Sequence, residues 1–161
     1  MNNKKPILIL GIGNILLKDE GIGVHVANKF KDVPLPPDVE VMDGGTLGID
    51  LLFHIEGRKK VIVIDTAKAG EPPGTMYRFT DRELSMKKDL LRTAHGIDFS
   101  DVVKTAQMLG NKPEVIVFIG IEPEDISEGL EPTALIAKRI PVIIELVMNE
   151  LKERTPKPED K

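Results

Sequence analysis

Carboxylates follow four of the apolar runs in this sequence. Asp19 and Glu20 come after residues 7–10 and a glycine pair, Asp43 after residues 39–42, Asp65 directly after residues 61–64, and Glu122 after residues 115–121. Carboxylates gathered in one place repel each other unless a cation or a proton is shared, so such a group suits a metal site or general acid–base work. Of the three histidines, His95 lies between Ala94 and Gly96 in a loop-like stretch and is the best free ligand or proton carrier. His25 and His54 sit within helical spacing and read as structural. No HExxH motif is present, so a three-ligand metal site would have to gather distant residues such as Glu20, Asp65 and His95. There is no G-x-S-x-G elbow, Ser85, Ser100 and Ser127 have no triad context, and the absence of cysteine excludes thiolate chemistry and disulfides.

Each carboxylate also has a plainer role. Asp19 and Glu20 open a helix, where the helix dipole favours negative charge by roughly 0.3–1 kcal/mol. Asp43 precedes two glycines and suits a turn. Glu122 precedes Pro123 and reads first as a loop residue. Asp65 follows four β-branched residues and is hard to explain as surface decoration, which favours a functional role. Gly21 and Gly23 each cost roughly 1 kcal/mol in a helix interior. Their place in the first turn predicts room for an approaching substrate backbone or a neighbouring element.

The elements that must position these groups alternate. The spacing predicts strands at 7–10, 39–42, 61–64, 75–79 (at an edge) and 115–121. Helices are expected from about 20 to 31, from Thr46 as cap to Gly57, from a Thr80–Glu83 capping box toward Leu91, from Ser100 as cap to Leu109, and over 133–152 with a kink or restart at Pro141. The strands read as buried on both faces. The expected fold is an α/β sandwich of three layers, α/β/α, with a mostly parallel, twisted central sheet of about five strands. One domain is expected over 1–154, followed by a polar tail at 155–161. Ligands of such sheets bind beyond the carboxyl ends of the strands, which is where the carboxylates fall.

Bulk properties narrow the class. The 161 residues carry a net charge of −4, with 41% apolar and 30% charged residues. That balance argues against a nucleic-acid binder, and Arg58-Lys59-Lys60 reads as a solvated turn. No window is apolar enough to span a membrane, and no signal-peptide pattern precedes the first strand, so a cytoplasmic protein is expected. No apolar dimer helix stands out, which predicts a monomer.

The stretch LILGIGNILLKDEGIGVH (residues 8–25) also invites a dinucleotide-binding reading, with Asp43 as the ribose acid. Gly11 and Gly13 fit G-x-G-x-x-G, but Leu16 occupies the third glycine position, and Asp19 and Glu20 have the wrong sign for a pyrophosphate. It stays an alternative.

Five segments in order carry a more specific resemblance. They are Gly11-Ile12-Gly13-Asn14 with Leu17 to Val24, Asp43 to Gly48, Val63 to Ala67 with Pro73-Gly74-Thr75, His95-Gly96 with Phe99 to Val102, and Ile119 to Pro123 with Leu130-Glu131-Pro132. Together the chain resembles the hydrogenase maturation proteases from about Ile7 to Leu151. The resemblance implies an endopeptidase that removes a C-terminal extension from the large-subunit precursor of a [NiFe]-hydrogenase after nickel insertion. It implies Glu20, Asp65 and His95 as the nickel-contacting residues, the nickel being supplied by the precursor. It also implies Asp43 as a further acid of the site. A non-catalytic nickel-binding chaperone is the competing expectation.

Overall fold

The computed structural model describes residues 4–84 and 99–153. Strands β1 (Ile7–Ile12), β2 (Val39–Gly45), β3 (Lys60–Thr66), β4 (Met76–Thr80) and β5 (Val115–Ile121) form a five-stranded sheet in the order β2-β1-β3-β5-β4. All pairings are parallel except β4 with β5, which is antiparallel; β4 is half-buried and lies at an edge, as expected for the strand at 75–79. The central strands β1 and β3 are buried along their whole length, in keeping with their unbroken apolar sequences.

Alternate side chains of each strand feed two cores. Leu8, Leu10, Val61, Val63, Ile116 and Phe118 pack on one face with helices α2 (Leu52–Ile55) and α4 (Phe99–Met108). Ile7, Ile9, Ile62, Ile64, Val117 and Ile119 pack on the other with α1 (Ile22–Lys29) and α6 (Ile140–Lys152). The short α3 (Asp81–Leu84) and α5 (Ala134–Ala137) complete the helices of the described residues. The expected three-layer sandwich is thus present.

Local differences from the sequence expectations have identifiable causes. The helix predicted from Thr46 begins as a 3-10 turn, Gly48–Leu51, and no side chain caps it. Gly48 takes a positive φ of 59°, so the chain is still turning beyond Thr46. Ser100 lies inside α4 instead of before it. Pro141 restarts the last helix: Thr133 caps α5 by accepting from the Ile136 N–H, and Pro141 stands in the first turn of α6, where its missing N–H costs nothing. Glu83 accepts from the Thr80 N–H (3.4 Å), one half of the expected capping box, and from the Thr80 hydroxyl (3.2 Å). The rest of that predicted helix lies outside the described residues, as does the expected polar tail.

The basic triplet is not a solvated turn. Arg58 and Lys60 are 4% and 2% exposed. Lys60 enters β3 and donates to the carbonyls of Glu150 (2.6 Å) and Glu153 (2.7 Å) and to the Glu150 carboxylate (3.3 Å). Arg58 donates to Glu40 and to the carbonyls of Lys5 and His54. Their long apolar stems pack inside while the charged heads find fixed acceptors, a role that composition does not reveal.

Candidate active site

The strand order reverses direction at β1: the chain steps outward to β2 and then crosses back to β3 on the other side. The β1/β3 junction is therefore the topological switch point, where sheets of this kind place their ligands. Glu20 and Asp65 belong to these two strand ends. Asp65 is 1% exposed near the end of β3, with one carboxylate oxygen accepting from the Thr66 N–H at 2.7 Å. Glu20 is 2% exposed on a 3-10 turn, Lys18–Gly21, that packs against β3.

Glycines create this approach. A Cβ on Gly23 would lie 2.2 Å from the Ile64 carbonyl oxygen and 2.3 Å from that of Ile12. One on Gly11 would lie 2.0 Å from the Gly23 oxygen, and one on Gly13 2.0 Å from the Glu20 oxygen. The start of α1 is therefore pressed onto the ends of β1 and β3. Of the two expectations for Gly21 and Gly23, the neighbouring element is the one observed: a Cβ on Gly21 would meet the Cα of Ile15 at 2.7 Å.

The turn itself is forced. Lys18 has φ 45°, a left-handed conformation that costs a non-glycine residue energy. Backbone bonds from Lys18 N to Gly129 O (2.9 Å) and from Asp19 N to Asp125 O (3.1 Å) hold it. The Lys18 ammonium pairs with Asp125 at 2.8 Å, and with the bonds from Ser127 it keeps the Asp125 carboxyl well below the usual carboxylate range.

The other carboxylates have different duties. Asp19 is fully buried and does not cap α1; its carboxylate accepts from the backbone N–H groups of Glu124 (2.9 Å), Asp125 (3.0 Å) and Thr133 (2.7 Å) and from the Thr133 hydroxyl. Glu122, 5% exposed, accepts from the N–H groups of Ala69 (2.8 Å) and Glu71 (2.9 Å) and from the Tyr77 hydroxyl (3.1 Å). It organises the loop after β3, in line with its plainer sequence reading. Burial, then the Glu122 bond, pushes the Tyr77 hydroxyl up to about 12. Asp43 lies exposed toward the end of β2 and closes a turn by accepting from the Gly45 N–H at 2.9 Å.

The structure thus brings Glu20 and Asp65 to neighbouring strand ends, with Asp43 one strand further out and exposed. His95 lies outside the described residues. Among those described, no group of three His, Asp or Glu side chains forms a metal site. His25 is half-buried in α1 and borders a groove of about 340 Å³ with Asn28, Lys29, Asp32 and Glu131; His54 lies late in α2, and its carbonyl accepts from Arg58 at 2.7 Å. The tether made by Asp19 has no signature in the sequence, because its partners lie over a hundred positions away and two of them are backbone groups of charged residues.

The fold is that of an α/β protein with two buried carboxylates, Glu20 and Asp65, at the β1/β3 switch point. A family model described as hydrogenase maturation protease matches residues 24–150. The hydrogenase 2 maturation protease of Escherichia coli is 32% identical, with 91% of each chain covered. A putative hydrogenase maturation protease of Methanocaldococcus jannaschii is 34% identical over 93% of this chain and 99% of its own. Among solved structures, the hydrogenase maturating endopeptidase HybD of E. coli superposes with a TM-score of 0.85 at 32% identity, covering 91% of this chain and 92% of that one. The maturation protease HycI of Thermococcus kodakarensis gives 0.74 at 27% identity, covering 94% and 95%. The chain belongs to the hydrogenase maturation protease family. It is a peptidase, and the dinucleotide reading falls: Gly11 and Gly13 serve backbone packing next to a carboxylate turn.

Proposed function

We propose that this enzyme removes the C-terminal extension of a [NiFe]-hydrogenase large-subunit precursor once nickel has been inserted. The observation that carries the reading is the pair of buried carboxylates, Glu20 and Asp65, at the β1/β3 switch point in a member of this family. With His95 they make a donor set of two carboxylate oxygens and an imidazole nitrogen, which suits nickel. The nickel arrives with the precursor as part of the substrate. A nickel held there can polarise the scissile carbonyl or activate water.

We assign Asp43, whose carboxylate is open to solvent, to taking the proton of the attacking water. The chain has no cysteine, so water and carboxylates, in the manner of an aspartyl-type peptidase, replace a thiol nucleophile. The need for all three donors makes nickel a checkpoint, since a metal-free precursor cannot complete the contact. In the same reading the enzyme is a cytoplasmic monomer that binds neither nucleic acid nor membrane. No helix among the described residues is long and apolar enough to cross a membrane.

The test incubates the enzyme with nickel-loaded and nickel-free precursor and follows the precursor mass. Shortening of the loaded form alone is expected. Binding of the loaded precursor without loss of mass would instead make the protein a nickel-dependent chaperone.

A further inference from the structure

Among the described residues, five large aliphatic side chains stand exposed on the loops after β1 and β2 and on the segment that meets them. Ile15 and Leu16 follow β1, Leu47 and Ile49 follow β2, and Leu130 lies in the segment that leads to α5; they are 41–64% exposed. Single exposed apolar residues are ordinary, whereas a group on one side of a site marks an interaction surface.

Two features separate these five from scatter. First, their loops are tied together by backbone. Gly13 N donates to Gly45 O at 3.0 Å, joining the loops after β1 and β2. Gly129 N donates to Leu16 O at 2.9 Å while Lys18 N donates to Gly129 O, joining the loop after β1 to the segment bearing Leu130. Asn14 braces the first loop again by accepting from the Leu16 N–H with its side chain (2.9 Å) and from the Leu17 N–H with its carbonyl (3.1 Å). The aliphatic groups are therefore held out by ordered backbone, and little entropy remains to be lost when something docks on them. Second, the surface runs into the site. The Cα of Ile15 rests against Gly21, and the Leu17 carbonyl accepts from the Glu20 N–H at 3.0 Å. Lys18 and Asp125 beside it already pair with each other, so the aliphatic groups meet a partner between exposed carboxylates such as Asp43, Asp50 and Glu131.

Glu20 and Asp65 are buried at strand ends, and the loop that leads to Glu20 also carries Ile15 and Leu16, so a protein substrate that approaches this carboxylate meets the rim loops. We infer that Ile15, Leu16, Leu47, Ile49 and Leu130 form a docking platform for an aliphatic segment of the precursor protein next to its cleavage site. This rests on the proposed function for its choice of occupant.

The test compares wild type with Leu16→Glu, Leu130→Glu and the milder Leu16→Ser, using Phe53→Glu as a control at another exposed apolar residue, on α2. Thermal melting checks each fold, and cleavage of nickel-loaded precursor gives KM and kcat. The two glutamate variants are expected to raise KM about tenfold or more with kcat within about twofold, Leu16→Ser to raise it less, and Phe53→Glu to change neither. Unchanged KM in both glutamate variants, or an equal rise in Phe53→Glu, overturns the platform. A wild-type dimer that Leu16→Glu dissociates also overturns it, by making a second copy the occupant. Titration of precursor binding separates this inference from the reading beneath it. If wild type binds but does not cleave, the peptidase reading fails, and about tenfold weaker binding by Leu16→Glu still upholds the platform.

Discussion

Gly23 lies so close to Ile64 that a Cβ on the glycine would stand 2.2 Å from the Ile64 carbonyl oxygen. The obstacle is backbone of a central strand, which cannot swing aside. Gly23→Ala should therefore cost more than the usual 1–3 kcal/mol of overpacking and lower the melting temperature, although alanine is the better helix former. Urea denaturation gives the difference; an unchanged or raised midpoint would mean that α1 can lift away from the sheet at no cost.

Asp19 and Glu20 are adjacent and buried, yet they should fail in opposite ways. Asp19→Ala removes the acceptor of three backbone N–H groups and a hydroxyl, at about 1–3 kcal/mol for each one that water does not reach. It should be severely destabilised. Glu20→Gln keeps the shape and should lose cleavage by several orders of magnitude while melting within a few degrees of wild type. Melting curves and precursor cleavage for the two variants separate the roles, and a Glu20→Gln enzyme with full activity would remove Glu20 from the site.

Asp65→Asn and His95→Ala test the remaining donors. Both should abolish cleavage of nickel-loaded precursor, whereas Asp43→Asn, on a base assigned to proton transfer, should slow turnover with KM little changed. Full activity in His95→Ala would take the imidazole out of the mechanism.

The sole tyrosine allows a direct titration. Tyr77 is raised to about 12 from 10.0. Its folded pKa lies above the unfolded one, so the neutral phenol contributes stability that is present below pH 10 and is lost as pH rises from about 10 to 12. Ultraviolet absorbance of the tyrosinate should show a midpoint near 12 in the native protein and near 10 in urea. Glu122→Gln should bring the native value down, since the bond to a charged acceptor contributes to the rise.

Lys60 and Glu150 form a buried pair extended by Arg78, which also bonds Glu150. Burial lowers the Lys60 pKa, with Glu150 opposing the fall. Removing the carboxylate in Glu150→Ala leaves the ammonium with carbonyl partners only and should destabilise by about 3–5 kcal/mol. The depressed lysine pKa means that the unfolded chain binds the extra proton. The variant's deficit should therefore grow as pH is lowered through the Lys60 pKa, which denaturation at stepped alkaline pH measures.

The sheet is legible in the sequence because its strands are unbroken apolar runs, and a parallel sheet between two helical layers is the architecture that buries both faces of such strands. The rim is legible because carboxylates follow those runs, and Asp65 after four β-branched residues has no plainer use. What stays hidden depends on partners distant in sequence. Asp19 reads as a helix-opening acid because its bonds to Glu124, Asp125 and Thr133 leave no local pattern. Arg58 and Lys60 read as solvent-facing because their acceptors are mostly carbonyl oxygens, to which any residue contributes. Gly23 announces that something comes close but not that it is the backbone of β1 and β3.

The bonds from Thr133 to Asp19 also impose an order on manufacture. A chain emerging from the ribosome completes β1, β2 and β3, and with them both Glu20 and Asp65, long before residue 133 is made. Until then the turn carrying Glu20 lacks the acceptors and donors that hold it against the strained conformation of Lys18. Translation must pass residue 133 before this turn is held in place, so growing copies that have not reached it carry Glu20 on an untethered segment.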